Sequence, residues 1–318
     1  MQLIDDVSDV VLQPGVATIG FFDGVHCGHR FLIEQVCRAA AERGLASSVI
    51  TFPVHPRRVM QSGFRPELLT TCEEKVALLA DTGVDYCIMF PFTPEVARLS
   101  ARQFMSVLKE KYRIQALVVG HDHRFGHNRS EGFEDYVRYG KELGMEVLLA
   151  RAYYINNEKE ITVDNKAEIT VSSSVIRRLL REGDVSKAAE YLGYEYFLEG
   201  SVVGGYRVGR KIGFPTANLR VDDPDKLIPS DGVYAVRVSL DGKEYGGMLS
   251  IGYRPTLNNG SDRSIEVHIF HFKEDIYGQP MRISFVRRTR SELKFDTTDE
   301  LIARLHQDEA EIKAILSL

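Results

Sequence analysis

The sequence lacks several things, and each lack closes off a class of protein. It has no Cys-x-x-Cys pair: Cys27, Cys37, Cys72 and Cys87 all fall in the first third, which suits reduced thiols better than a disulfide framework. No uninterrupted apolar run approaches membrane-spanning length. The opening Met1-Gln-Leu-Ile-Asp-Asp6 lacks the basic residues and apolar core of a signal peptide. There is no excess of positive charge either, since a formal net charge of −5 gives no global basic field to attract nucleic acid. A cytoplasmic protein with neither nucleic acid nor membrane as partner is expected. What is present is ordinary globular composition, 44% hydrophobic and 27% charged, and 318 residues permit two domains with separate cores.

The most informative stretch is Val16-Ala-Thr-Ile-Gly-Phe-Phe-Asp-Gly-Val-His-Cys-Gly-His29 with the run to Gly44 behind it. Val16 to Phe22 reads as a buried strand, Asp23-Gly24 as a turn, and Leu32, Ile33, Val36, Ala39 and Ala40 as one face of a helix. The turn therefore ends at a helix N-terminus, where free N–H groups and the macrodipole favour an anion and Gly24 and Gly28 let a phosphate approach the main chain. His26 and His29 place two donors three residues apart in that turn. Such donors suit attack on an α-phosphorus with departure of pyrophosphate, because they meet the charge that grows on the phosphate oxygens. A helix cap explains the same residues equally well. Zinc held by His26, Cys27 and His29 does not, because ligands this crowded cannot surround a tetrahedral ion.

Further along, strands and helices alternate: strand 46–52, helix 73–81, strand 86–92, helix 101–112, strand 116–119, helix 132–143 and strand 146–154. This predicts a doubly wound parallel sheet, whose strand-end loops are the places for ligands. Pro53-Val-His55-Pro-Arg-Arg58 is one such loop, although two exposed arginines are ordinary loop residues too. Gly120-His-Asp-His-Arg-Phe-Gly126 is another, with a carboxylate, a guanidinium and a ring able to hold a nucleotide or flat heterocycle. Residues 153–171 alternate like a hairpin, with Asn156-Asn157 and Asp164-Asn165 as turn candidates. Ser172, Ser173 and Ser174 precede the helical run Val175 to Arg181 as an N-cap, or with Arg177 as a second anion site. A short helix over 185–192 follows, and the boundary is set at 183/184, giving domains 1–183 and 184–318.

Beyond Tyr194 strands adjoin one another over 196–203, 232–240, 243–251, 264–272 and 281–290. Asp241-Gly242 has type I′ hairpin chemistry, and Leu301, Leu305, Ile312 and Ile315 mark a final amphipathic helix, so a small barrel sealed by a helix is predicted. Gly204 to Asn218 supplies glycines and basic side chains for polyphosphate, with Thr216 and Asn218 as oxygen donors for Mg²⁺. Glu266 sits on an alternating strand; facing that loop it accepts a proton from a substrate hydroxyl, and facing solvent it does nothing chemical.

Six motifs in order, Gly20 to His29, Gly120 to Gly126, Ser172 to Arg177, Gly209 to Asn218, Ile265-Glu-Val-His268 and Arg290-Ser-Glu-Leu-Lys-Phe295, make nearly the whole chain resemble the bifunctional prokaryotic riboflavin kinase/FMN adenylyltransferase (FAD synthetase) family. The resemblance implies a Rossmann-like nucleotidylyltransferase domain that adenylylates FMN to FAD and a riboflavin-kinase barrel that phosphorylates riboflavin to FMN. ATP is the co-substrate of both, Mg²⁺ the cofactor, ADP and pyrophosphate the by-products, and the chain a monomer or weak homo-oligomer. It implies His26, His29 and Glu266 as catalytic residues. Gly20, Phe21, Asp23, Gly24, Gly28, Gly120, Asp122, Ser172, Ser173, Ser174 and Arg177 are implied for ATP in the first domain, and Gly204, Gly209, Lys211, Gly213 and Pro215 in the second. Flavin falls to His55, Arg124, Phe125, Arg290 and Phe295, and the metal to Thr216 and Asn218.

The chain departs from the family pattern at Val54, Arg58 and His123, near the proposed flavin contacts of the first half, and at Ser250 and His271 in the barrel. A different nucleotidylyltransferase would share the two histidines without needing the barrel motifs. A non-catalytic flavin-binding regulator would keep the arginine and aromatic loops without needing both histidines and Glu266.

Overall fold

The computed structural model describes residues 1–5, 11–61, 63–120, 123–155, 169–205, 208–253 and 263–318. The chain divides into two compact units, Met1–Ser173 and Ser174–Leu318. The turn candidates Asn156-Asn157 and Asp164-Asn165, together with Asp122, lie outside the described residues.

In the first unit β1 (Gln2–Ile4), β2 (Gly15–Ile19), α1 (Cys27–Arg43), β3 (Ala46–Thr51), α2 (Pro56–Met60), α3 (Cys72–Ala80), β4 (Tyr86–Met89), α4 (Pro94–Ala97), α5 (Ala101–Tyr112), β5 (Ile114–Val119), α6 (Phe133–Leu143) and β6 (Glu146–Leu149) follow in sequence. Their six strands form one parallel sheet in the order β1-β4-β3-β2-β5-β6. Residues of β2 and β5 alternate between its faces. Val16, Ala116 and Val118 pack with Val36, Ala39 and Ala40 of α1, while Ala17, Ile19, Leu117 and Val119 pack with Phe104, Met105 and Leu108 of α5. The chain moves outward from β2 to β3 and β4, then returns to β5 on the other side of β2. The order thus reverses between β2 and β5, and the loops after these two strands border the crevice where open parallel sheets bind ligands.

Two expected strands are shorter than their apolar runs. β2 ends at Ile19: Gly20 N still donates to Ile50 O (3.0 Å) of the neighbouring strand, and the backbone then turns through a positive φ at Phe22. The run 146–154 breaks after Leu149: Tyr154–Ile155 (β7) pairs instead with Ile169–Thr170 (β8), antiparallel as the hairpin reading anticipates. The serines span the start of the next helix, with Ser172 at the cap position. Helix α7 runs Ser173–Glu182, so Ser173 and Ser174 are in its first turn and only Ser172 precedes it.

The second unit continues with α8 (Val185–Leu192), β9 (Phe197–Val203), α9 (Val208–Lys211), β10 (Ala217–Arg220), β11 (Gly232–Leu240), β12 (Lys243–Tyr253), β13 (Arg263–Ile269), β14 (Pro280–Arg290) and α10 (Thr298–Leu316). Its six strands close into a barrel, β10-β13-β12-β11-β14-β9, every pairing antiparallel. Asp241 and Gly242 both take positive φ (48° and 72°), as a type I′ hairpin between β11 and β12 requires. Ile312 and Leu316 of α10 pack on Phe214, Val233, Ala235, Met248 and Phe270, and this helix covers the barrel as predicted. The fully buried Asp308 accepts from Arg290 Nη2 (2.6 Å) and Arg304 Nε (2.9 Å), which ties α10 to the end of β14.

Candidate functional sites

In the first unit the turn Gly20–His26 is held by side chains the local sequence does not announce. Asp23 is buried, and its carboxylate accepts from Leu69 N (2.9 Å) and Thr70 N (3.1 Å), while Gly24 N donates to Thr70 Oγ1 (3.1 Å). Ser173 Oγ donates to the carbonyl oxygen of Asp23 at 3.0 Å. Between these anchors Phe22, Gly24 and Val25 have φ of 53°, 80° and 36°. Positive φ is costly for a β-branched residue such as Val25, so the backbone here is strained and kept so by its surroundings.

His26 is the N-cap of α1, buried to 3% exposure, and its Nδ1 accepts from His29 N at 3.3 Å. The cap reading and the paired-donor reading therefore hold together, because the capping bond stacks the two imidazoles, centroids 3.6 Å apart and 15° from parallel. Gly28 makes room for this: a Cβ there would stand 3.3 Å from the His26 ring. The Nδ1 atom of His29 is buried with no hydrogen-bond partner among the described residues. Burial, and then the charges of His26 and Lys75, hold His29 well below the usual histidine range. The imidazole is neutral at physiological pH.

Of the residues expected to meet flavin in this unit, His55 is the N-cap of α2, with Nδ1 accepting from Arg57 N (3.1 Å) and its ring edge-on to Phe21 at 4.6 Å. Arg124 is exposed. Phe125 departs from expectation: it is a core residue, stacked on Tyr136 at 4.1 Å with its own N–H donating to Tyr136 Oη (3.0 Å). Sequence reading missed Lys75 of α3, which is buried with Nζ on Phe52 O (2.7 Å) and 4.3 Å from the Phe21 ring centroid. It stands in the run Glu73-Glu74-Lys75, which looks like a solvated helix face. Burial raises all four thiols, Cys87 up to about 11, so none is a thiolate at neutral pH.

In the barrel Ile265 and Val267 are buried, and Glu266 between them points to the other side, half-buried. Thr216 Oγ1 donates to Glu266 Oε2 at 3.2 Å, and Glu266 stands directly across from Asn218 of β10 and Ser250 of β12. His268 Nδ1 lies 2.8 Å from Pro215 O. The glycine-rich segment folds back on itself, with Phe214 N donating to Gly209 O (2.8 Å), and no side chain fits at Gly209 without striking the Phe214 carbonyl, nor at Gly205 without striking the Asn218 amide. Gly204 and Gly213, the latter at φ 86°, face open space. Arg290 is engaged by Asp308 and by Ser291 O (3.0 Å), and Phe295 is half-buried beyond the exposed Ser291–Lys294. A hydroxyl, an amide oxygen and a carboxylate gathered at one end of β10 are hard oxygen donors of the kind Mg²⁺ takes.

Residues 9–163 match the FAD synthetase family and residues 192–316 the riboflavin kinase family. The chain is 36% identical over 307 residues to the bifunctional riboflavin kinase/FMN adenylyltransferase of Listeria monocytogenes, covering 95% of this chain and 92% of that protein. The chain belongs to the bifunctional riboflavin kinase/FMN adenylyltransferase family. Its counterpart in Escherichia coli is 33% identical over 317 residues, covering 99% of this chain and 97% of that one. A crystal structure from Streptococcus pneumoniae, described as that of a macrolide-efflux protein, has a TM-score of 0.85 at 30% identity and covers 98% of both chains. Among the described residues no helix is long and apolar enough to cross a membrane.

Proposed function

We propose that this riboflavin kinase and FMN adenylyltransferase runs its two ATP-dependent reactions on two separate residue sets, one around the turn before α1 and one in the barrel. In the barrel Glu266 takes the proton of the ribityl 5′-hydroxyl as that oxygen attacks the γ-phosphorus of ATP, giving FMN and ADP. The Thr216 bond to Oε2 fixes the carboxylate in place. Gly204, Gly209, Lys211, Gly213 and Pro215 form the phosphate loop, and Phe295 lies toward the flavin. Arg290 is recast as a positioning residue, because Asp308 already takes its guanidinium. Thr216 and Asn218 would hold Mg²⁺, which when bound neutralises phosphate charge.

At the turn of the first unit an FMN phosphate oxygen attacks the α-phosphorus of ATP, and pyrophosphate leaves as FAD forms. His26 and His29 meet the growing oxyanion charge. Gly20, Phe21, Gly24, Gly28 and Gly120 give the nucleotide access to the main chain, and Ser172, Ser173, Ser174 and Arg177 hold the triphosphate. Asp122 belongs to the same set by motif alone. Asp23 acts from beneath, through Leu69 and Thr70, and His55 and Arg124 are the flavin contacts on this side. A cytoplasmic enzyme, monomeric or weakly self-associating, completes the reading.

The observation that carries this reading is the stacked histidine pair at a helix N-terminus, with His29 Nδ1 buried and without a hydrogen-bond partner among the described residues, together with the Thr216–Glu266 pair in the barrel. Incubating the protein with riboflavin and Mg-ATP and separating the flavins tests it. FMN and FAD are expected in turn. FAD from supplied FMN without any phosphorylation of riboflavin would leave only the adenylyl-transfer half of the reading, and neither product would leave a flavin binder.

A further inference from the structure

Lys75 is 2% exposed, and its ammonium has three donors. Among the described residues one acceptor meets it, Phe52 O at 2.7 Å, and the face of the Phe21 ring lies 4.3 Å from Nζ. Asp23 is near enough for its charge to be felt, but its carboxylate is spent on Leu69 and Thr70. A buried cation without a bonded carboxylate is unfavourable for folding, so its place in the structure calls for a reason.

That place is the junction of the β2 and β3 tips. Gly20 N donates to Ile50 O (3.0 Å), Thr51 Oγ1 donates to Phe21 O (3.1 Å), and Lys75 Nζ closes the series one residue further on. The Phe21 ring that covers the ammonium also meets the edge of His55 at 4.6 Å. Lys75, Phe21 and His55 therefore form a column from α3 through the phosphate turn to the loop after β3. We propose that Lys75 is a positioning residue for adenylyl transfer, holding the phosphate turn and the His55 loop in one arrangement from beneath through Phe21 and the Phe52 carbonyl. Its charge serves the same end. Beyond burial, the charges felt by His29 are those of His26 at the N-cap of α1 and Lys75 of α3, and both disfavour a protonated His29. A fixed positive charge in a low-dielectric position under the turn also favours an incoming polyphosphate.

This inference rests on the reading of the turn as the adenylyl-transfer site, and the test separates the two. If the parental chain makes no FAD from FMN, that reading fails; if it does, the variants judge Lys75 alone. Lys75→Met keeps the stem and removes donor and charge. Its turnover of saturating FMN and ATP should fall at least tenfold, with riboflavin phosphorylation by the same preparation within twofold and the His29 titration midpoint, followed by NMR, moving up. Phe21→Leu, which removes the ring between Lys75 and His55, should give the same split. The double variant should lose no more than the more impaired single one, because both break one column. Parental turnover in Lys75→Met, or losses that multiply in the double variant, would overturn the proposal. If Lys75→Met does not fold, Lys75→Gln, which shortens the reach to Phe52 O and removes the charge, decides: a tenfold loss confined to FAD formation supports the column, and parental turnover removes it.

Discussion

The two candidate sites are built in opposite ways. At the candidate turn of the first unit the proposed groups are fixed by buried contacts from far along the chain, Asp23 to Leu69 and Thr70 and Lys75 to Phe52, and by the local His26 cap. In the barrel Glu266 stands mid-strand on β13, half-buried, with an exposed threonine bonded to its carboxylate. The first arrangement invests backbone strain and a buried cation in preorganised donors, as suits a step in which the protein stabilises phosphate charge rather than accepting a proton. The second needs a carboxylate within reach of a hydroxyl, and a half-buried strand position is enough.

The sharpest way to break this contrast is Glu266→Gln. The amide keeps the shape and the Thr216 contact but cannot take the proton, and loss of a general base lowers rate by ~10²–10⁴. Riboflavin phosphorylation should collapse while FAD synthesis from supplied FMN continues as an internal control. Kinase turnover at the parental level would reduce Glu266 to a barrel residue.

Next in size is His29→Ala, measured as FAD formed from FMN. Loss of one preorganised donor lowers turnover by ~10²–10³, and His26 loses both its stacking partner and part of its setting. Phosphorylation of riboflavin should be untouched. Undiminished FAD formation would leave the pair as a helix cap and no more.

The difference between the sites also explains what sequence could reveal. The period-two and helical patterns, the Asp241-Gly242 hairpin and the strand-turn-helix around His26 are local, and the structure reproduces them with shifts of a few residues. The props of the turn are not local. Asp23 and Thr70 are 47 residues apart, and Lys75 hides among Glu73 and Glu74 in what reads as a solvated face. In the barrel β10 escaped notice because its four residues end a glycine-rich loop, and β1 because three residues at a sheet edge carry no periodicity. Phe125 and Arg290 illustrate the remaining gap: a motif names a residue without saying which side of the loop its ring or guanidinium is spent on.

A smaller effect sharpens the contrast through pH. His29 in the unfolded chain takes up a proton near pH 6.5, whereas in the folded chain burial holds its affinity well below that. Between those values the unfolded state binds more protons, so the stabilising contribution of a neutral His29 is complete above about pH 6.5 and diminishes as pH falls through and below it. Thermal melts at pH 7 and pH 5 should show a larger drop for the parental chain than for His29→Gln, which has no proton to gain. Equal drops would mean that His29 titrates like an exposed histidine.

The smallest expected effect comes from cutting the chain, and it asks whether the two sites are separate in fact. Residues 184–318 contain all six barrel strands, Glu266, the glycine-rich loop and α10, so this fragment is expected to phosphorylate riboflavin by itself. Residues 1–183 contain the whole parallel sheet, both histidines, the serines and Arg177, and are expected to make FAD from FMN. The compact units divide earlier, at Ser173/Ser174, and within the second unit Ser230 N donates to Leu180 O at 3.0 Å. A fragment 174–318 should therefore melt at a higher temperature than 184–318, with Ile176, Leu179 and Leu180 kept in the second unit, yet phosphorylate riboflavin at the same rate. Circular dichroism establishes that each piece is folded, and a flavin assay on each gives the answer. A folded barrel fragment, in either length, that makes no FMN until residues 1–183 are added would show that the kinase depends on the first unit, and the contrast between two self-sufficient sites would fail.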